Sequence, residues 1–182
     1  MADLRFQLPT KEQILSEPIR DPVSRVRMSF EPEGENLIIT VWMEPGGGLP
    51  AHFHPKQEER WSVLEGTVRV RLGDDERVIG PEDGEISVMP GTVHGLASSS
   101  DQEAKLRCLA IPALHLQSFL EESAAAAQEG LFTRRGLPRG LRGARWAAKF
   151  LKRYRDETVM ASPPQFIQRG LFAVLARDTQ PV

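Results

Sequence analysis

GGGLPAHFHPKQEERWSVLEG, residues 46–66 of a 182-residue chain, is the stretch on which the fold turns. Pro45 and the three glycines at its start break the chain before the histidines. His52 and His54 then alternate with Phe53, and in a β-strand residues two apart face the same side, so both imidazoles enter one pocket. Pro55 turns the chain, Glu59 adds a carboxylate, and a run of strand-forming residues ends at Gly66. Imidazole nitrogens with one carboxylate oxygen make a ligand set suited to a divalent transition metal: iron, manganese, nickel, copper or zinc. Two of the four histidines of the chain fall within these three positions.

Outward from this stretch the pattern is one of short strands. On the N-terminal side Val26, Met28 and Phe30 alternate with Arg25, Arg27 and Ser29, and residues 32–36 (PEGEN) are a turn. Leu37 to Met43 is rich in β-branched residues and reads as a more buried strand. On the C-terminal side Val68, Val70 and Leu72 alternate with Thr67, Arg69 and Arg71, and Gly73-Asp74-Asp75 makes a hairpin with Arg77 to Ile79. Glu85 to Met89 is a strand, Pro90-Gly91-Thr92 a turn, and His94 follows at once. Ser98 to Asp101 reads as a polar loop and Lys105 to Ile111 as the last clear strand. About eight short strands with turns every eight to twelve residues indicate an all-β domain, closed or double-layered.

The flanks differ in character. Residues 1–22 read as a loosely packed arm, punctuated by Pro9 and Pro18. From Pro112 the chain becomes helix-favouring: Leu114 to Gln128 is alanine-rich, and Gly143 to Tyr154 places Trp146, Ala147, Phe150, Leu151 and Tyr154 on one face. Pro163 and Pro164 open a last expected helix, 165–176. The organisation expected is an arm (1–22), a β-domain (23–112) and a helical C-terminal extension (113–182).

Composition narrows the function classes. The hydrophobic (40%) and charged (26%) fractions are those of an ordinary soluble protein, and a formal charge of -2 argues against nucleic-acid binding by the whole chain. No run approaches the roughly 18 apolar residues of a membrane span, and the first twenty residues carry no signal-peptide pattern, so a cytoplasmic address is expected. Cys108 is the one cysteine. It cannot form an intramolecular disulfide, and the apolar run LRCLAIP makes it a core thiol. Nine basic residues between Arg134 and Arg155 have no acidic neighbour before Asp156. The preferred reading is a solvated basic face opposite an apolar face that packs on the barrel or on a partner subunit, ahead of contact with an anionic membrane or nucleic acid.

Two motifs emerge when the histidines are put together: Gly46-x5-His52-x-His54-x4-Glu59-x6-Gly66, and Gly84-x5-Pro90-Gly91-x2-His94. They resemble the two motifs of the cupin superfamily, small jelly-roll barrels that commonly hold a metal in the barrel mouth. The resemblance spans roughly residues 25 to 112, with one motif pair. It implies a cupin-type double-stranded β-helix (jelly roll), with His52, His54, Glu59 and His94 as metal ligands. The spacing to Gly66 favours Glu59 over its neighbour Glu58. The second motif departs from the family pattern in two ways: Pro90 and Gly91 are adjacent where one residue usually intervenes, and Ser98 replaces the usual terminal asparagine.

Three neutral imidazoles and one carboxylate leave a divalent site with a formal charge of about +1. A metal preferring six ligands keeps two positions open for water, substrate or dioxygen. A tetrahedral zinc holding all four is closed, as structural sites are. The resemblance therefore implies a metal-dependent enzyme acting on a small organic molecule, most naturally an oxygenase and otherwise an isomerase, with Glu59 doubling as general base. The rival is a non-catalytic metal-dependent binding or sensor module, and a third reading makes the barrel a dimerisation unit. The expected partners are a small-molecule ligand and a second copy of the chain. Trp61 shares strand parity with Glu59 and either lines the pocket or fills the core. Arg69 and Arg71 are placed on a solvated outer face, and His115 at the surface.

Overall fold

The computed structural model describes residues 17–161. The expected helix 165–176 and most of the N-terminal arm lie outside them. Eleven strands follow in chain order: β1 (Ile19–Asp21), β2 (Val26–Glu33), β3 (Asn36–Met43), β4 (Gly48–Phe53), β5 (Glu58–Glu65) and β6 (Val68–Leu72). Then come β7 (Asp75–Ile79), β8 (Glu85–Val88), β9 (His94–Ser98), β10 (Ala104–Ile111) and, beyond the helices, β11 (Val159–Met160). They form two sheets, ordered β1-β2-β3-β10-β5-β8 and β11-β4-β9-β6-β7, with every pairing antiparallel. The result is the double-layered form of the all-β domain, an open jelly roll.

Strict alternation drives this arrangement. Val26, Met28 and Phe30 of β2, Leu37, Ile39, Val41 and Met43 of β3, and Ala104, Leu106, Cys108 and Ala110 of β10 all point inward and are buried. Because the side-chain period of a strand is two, a one-residue slip in any of these pairings would expose a whole apolar row, so the register is fixed by burial. From the other sheet Val68 and Val70 complete the core, while Arg69 and Arg71 between them are exposed on the outer face. Cys108 has no solvent exposure, and burial pushes its thiol pKa well above the usual value, so it is inert core.

Three strands have no counterpart in the sequence pattern. The end of the N-terminal arm is not loose: β1 pairs with β2 through Ile19↔Met28 and Asp21↔Val26. His94 to Ser98, where only a histidine and the start of a polar loop were expected, is β9, a central strand between β4 and β6. The two residues of β11 pair with Phe53 and His52 of β4. All three are short, and their pairing comes from neighbours rather than from local propensity.

The helices are α1 (Leu116–Gln128) and α2 (Gly140–Arg153). The first starts two residues later than its apolar pattern because Leu114 has a positive φ (45°) outside the helix. The second starts three residues earlier, at Gly140. They pack on each other through aromatic rings, Phe119 against Phe150 at 4.9 Å and Trp146 against Phe150 at 4.5 Å between centroids. The Tyr154 hydroxyl donates to Glu122 at 2.8 Å, and Arg153 makes a two-point contact with the same carboxylate. The basic residues of α2 (Arg142, Arg145, Lys149, Lys152 and Arg153) are exposed, opposite that aromatic face. At the junction, the buried Gln57 amide donates to the carbonyls of Pro112 (2.9 Å) and Ala113 (2.8 Å). No described helix is long and apolar enough to cross a membrane.

Candidate metal centre

The four candidate ligands come from three strands and one strand end. His52 is on β4, directly opposite His94, the first residue of β9. His54 lies one residue beyond β4, and Glu59 points inward from the second position of β5. Two features bring β4 and β9 close enough. The pairing is irregular between Leu49 and His52, so β4 bulges at Pro50 and Ala51 and re-aims His52. Gly95 lies under that bulge, where a Cβ would sit 3.1 Å from the Leu49 carbonyl oxygen and 3.3 Å from the Ala51 backbone. The adjacent Pro90-Gly91 of the second motif does not disturb the delivery of His94. Gly91 takes φ +80°, its N–H donates to the His54 carbonyl at 2.8 Å, and the Thr92 N–H closes the turn on Met89 at 3.1 Å.

Each imidazole is held by a main-chain carbonyl. His52 Nδ1 lies 2.7 Å from Pro50 O, His54 Nδ1 2.6 Å from Glu157 O, and His94 Nδ1 3.0 Å from Thr92 O. A carbonyl oxygen only accepts, so each Nδ1 carries a proton, and each Nε2 turns to the interior a lone pair when its ring is neutral or a second N–H donor when the ring is protonated. Those Nε2 atoms converge. His54 Nε2 is 3.1 Å from Glu59 Oε1, His94 Nε2 is 3.0 Å from Glu59 Oε2, and His52 Nε2 is 3.1 Å from His54 Nε2. The indole of Trp61 donates to Glu59 Oε2 at 2.8 Å, so this buried side chain both fills the core and orients the carboxylate. Glu58 lies on the other face of β5, its carboxylate bonded to Arg60 at 2.7 Å, and takes no part.

The donor set fits a cation. Four ligand atoms, one from each residue, lie within 4.8 Å of one another. Two imidazole Nε2 atoms with lone pairs facing each other at 3.1 Å repel unless a proton or a metal ion stands with them. Ligands at right angles on a metal with bonds of about 2.0–2.1 Å are separated by about 3 Å, the spacing found here. The ring-orienting carbonyls are the outer partners that metal-bound histidines commonly have.

Electrostatics agree with this arrangement. Burial, followed by the neighbouring His94 and His54, lowers the His52 pKa to about 3, so His52 is neutral throughout the physiological range. Burial opposes charge on Glu59, but hydrogen bonds from His54 and His94 outweigh it and hold the carboxyl well below its usual range. Burial also lowers His54, yet the Glu59 carboxylate, followed by the Glu157 carbonyl, wins and raises its pKa above 6.5. A metal must displace that proton. Its affinity is therefore expected to fall as pH drops through the raised His54 pKa and to level off above it. Calorimetric zinc titration in buffers of different ionisation enthalpy should show more proton release at pH 6 than at pH 9. Equal release at both would contradict the assignment.

The cluster adjoins a cavity of about 550 Å³ lined by residues of both the barrel and the helices. His52, His54, Glu59 and Trp61 contribute to its lining from the barrel, and Phe119, Trp146 and Phe150 from the helices. His115 stands apart from the cluster, exposed, with its backbone N–H donating to Glu157.

Residues 39–112 match the family model for the cupin domain. This stretch is a cupin domain. An RmlC-like cupin from Shewanella frigidimarina shares the fold, with a TM-score of 0.50 at 20% identity over 61% of this chain and 95% of that one. Among curated proteins, an oxidoreductase of Arthrobotrys oligospora is 41% identical over 54 residues, 30% of this chain and 21% of its own length. A probable oxidoreductase of Penicillium expansum, patJ, is 47% identical over 63 residues, 35% of this chain and 19% of its own length. The chain thus matches only about a fifth of the length of these relatives.

Two residues of this cupin's site have no signal in the motifs. Glu157 supplies the carbonyl behind His54, and the Thr158 hydroxyl lies 3.4 Å from the same Nδ1. Both follow α2 and are buried. A carbonyl is common to every residue, so no side-chain pattern could have marked Glu157.

Proposed function

We propose that this protein is a metal-dependent cupin enzyme, oxygenase-like, acting on a small organic molecule held in the cavity beside the His52, His54, Glu59 and His94 cluster. The observation that carries the proposal is the convergence of three carbonyl-oriented imidazoles and one carboxylate beside that cavity. The names of the curated relatives, oxidoreductases both, lend support. The bound metal would supply Lewis acidity and, if redox-active, electron transfer to dioxygen.

The chain's own residues do the rest. The Pro50, Thr92 and Glu157 carbonyls hold the three rings in one tautomer. Trp61 holds the Glu59 carboxylate, and the helices shield the cluster from water. Glu59 is assigned first as a ligand. A general-base role for it requires release from His94 or Trp61, because the hydrogen bonds that depress its pKa also weaken it as a base. A homodimer remains part of the proposal and is checked by light scattering on the purified chain.

One observation favours a second reading, a non-catalytic metal-dependent binding module. Asp21 is the one carboxylate lining the cavity apart from Glu59 among the described residues, and its Oδ1 is engaged by the N–H groups of Val23 and Ser24. Among the described residues the cavity thus offers no dedicated acid–base pair beyond the cluster. The deciding experiment is elemental analysis of the purified protein and of His52→Ala after metal supplementation, followed by oxygen uptake on a substrate panel. Near-stoichiometric iron or manganese in the wild type alone, with oxygen consumption, supports the enzyme. Metal without turnover supports the binding module, and no transition metal in either protein refutes both.

A further inference from the structure

The geometry points to a substrate class: the cavity takes a neutral, ring-bearing, largely apolar molecule that turns a single oxygen, hydroxyl, enol or carbonyl, toward the metal cluster. The oxygen end rests on the metal reading above, whereas the apolar end rests on the cavity alone.

Charge is the first argument. No lysine or arginine lines the cavity among the described residues. The basic residues of α2 are exposed on its opposite side, and Arg69 and Arg71 are on the outer face of the barrel. A phosphate, or a second carboxylate away from the cluster, would find no counter-charge. The cluster itself, with a divalent ion and one carboxylate, has charge to match one anionic oxygen and no more.

Hydrogen-bonding capacity is the second. Away from the cluster, the polar side chains on the wall among the described residues are Asp21, Ser24, Ser123 and Thr158, with the indole N–H of Trp146. Asp21 Oδ1 already accepts two backbone N–H groups, at 2.8 and 3.1 Å, and Thr158 is beside His54. A sugar or other polyol would enter with most of its hydroxyls unmatched, and unmade hydrogen bonds in a dry site are the strongest basis for rejecting a ligand.

Shape is the third. Phe119, Phe132, Trp146 and Phe150 form one aromatic group, with Phe132 edge-on to Trp146 at 5.6 Å and the Trp146 and Phe150 rings stacked within 18° of parallel. This aromatic group lines the same cavity as His52, His54 and Glu59 and favours a flat ring system. The volume of about 550 Å³ is within the range of pockets that enclose drug-sized ligands.

The test uses the zinc-loaded full chain titrated with N-phenyl-1-naphthylamine, a neutral dye whose emission rises in apolar surroundings. The expected result is saturable one-to-one binding with a blue shift, displaced by 2-naphthol and not by glucose 6-phosphate. Ala147→Phe on α2 and Ser123→Phe on α1 fill the cavity from two sides. Each should weaken dye binding at least tenfold while zinc content is unchanged, which also shows that the variant has folded. Chelator-stripped wild type should retain the dye but bind 2-naphthol at least tenfold more weakly. Non-saturable dye binding, indifference to both filling substitutions, or displacement by glucose 6-phosphate at lower concentration than by 2-naphthol would overturn the inference with the metal reading left standing. A chain that binds dye normally but takes up no zinc would refute the metal reading and, with it, the oxygen-facing half of this one.

Discussion

A His94→Ala variant is expected to lose its transition metal altogether under conditions in which the wild-type chain retains close to one per molecule. The substitution removes one of three Nε2 donors and also the hydrogen bond that holds Glu59 Oε2 at 3.0 Å. Loss of an outer partner behind a metal-bound histidine typically costs 10–100-fold in affinity, so loss of the ligand itself should cost more than about 100-fold. The fold should survive. His94 is on β9, which pairs on both sides through its backbone, at Leu49↔Leu96 with β4 and Val70↔Leu96 with β6. Metal analysis by mass spectrometry beside a circular dichroism melt separates the two effects. Full metal occupancy in the variant would sink the assignment of His94. Arg71→Ala, on the exposed face of the neighbouring strand, is the matched control and should retain the metal.

The second large effect is expected from Phe150→Ala. Phe150 is 7% exposed and stacks against both Phe119 and Trp146, so it is the centre of the aromatic contact between α1 and α2. Truncating a buried phenylalanine costs about 3–5 kcal/mol, and the lower end applies here because one side of the ring already faces the cavity. Urea unfolding should show a loss of about 3 kcal/mol, with the melting temperature down by on the order of 10 °C. A loss below about 1 kcal/mol would mean that the helices are held by other contacts. Metal affinity should also fall, because α2 leads directly into Glu157, whose carbonyl orients His54.

Side chains explain most of what the sequence revealed. The alternation of Val26, Met28 and Phe30, and of Leu37 to Met43, is itself the cause of the sheets, so it could be read directly. The His52, His54, Glu59 and His94 spacing was legible because those residue types are rare and their positions are set by strand parity. Even the choice of Glu59 over Glu58 follows from parity: one faces the cluster and the other pairs with Arg60. What could not be read is carried by the backbone or by distant partners. Pro50, Thr92 and Glu157 act through carbonyls, which any residue has. β1, β9 and β11 owe their existence to a neighbouring strand edge, and β9 contains a glycine that its own propensity disfavours. The cavity is a property of two helices and a barrel together. The apolar face of residues 143–154 was visible, but not that it would line the same cavity as His52, His54 and Glu59.

The hydrogen bond between His54 and Glu157 spans 103 residues, and that separation has a consequence for the order of events in the cell. Synthesis proceeds from the N-terminus at about 5–20 residues per second, so β1 to β10 exist for a few seconds before Glu157 is added. In that interval the barrel can pair its strands and bring His52, Glu59 and His94 together, but His54 has no acceptor behind its ring and β4 has no β11 at its edge. The centre matures only when the end of the described chain returns to the first motif. A metal ion that needs all three rings oriented by their carbonyls is therefore expected to bind only after residue 157 has been added.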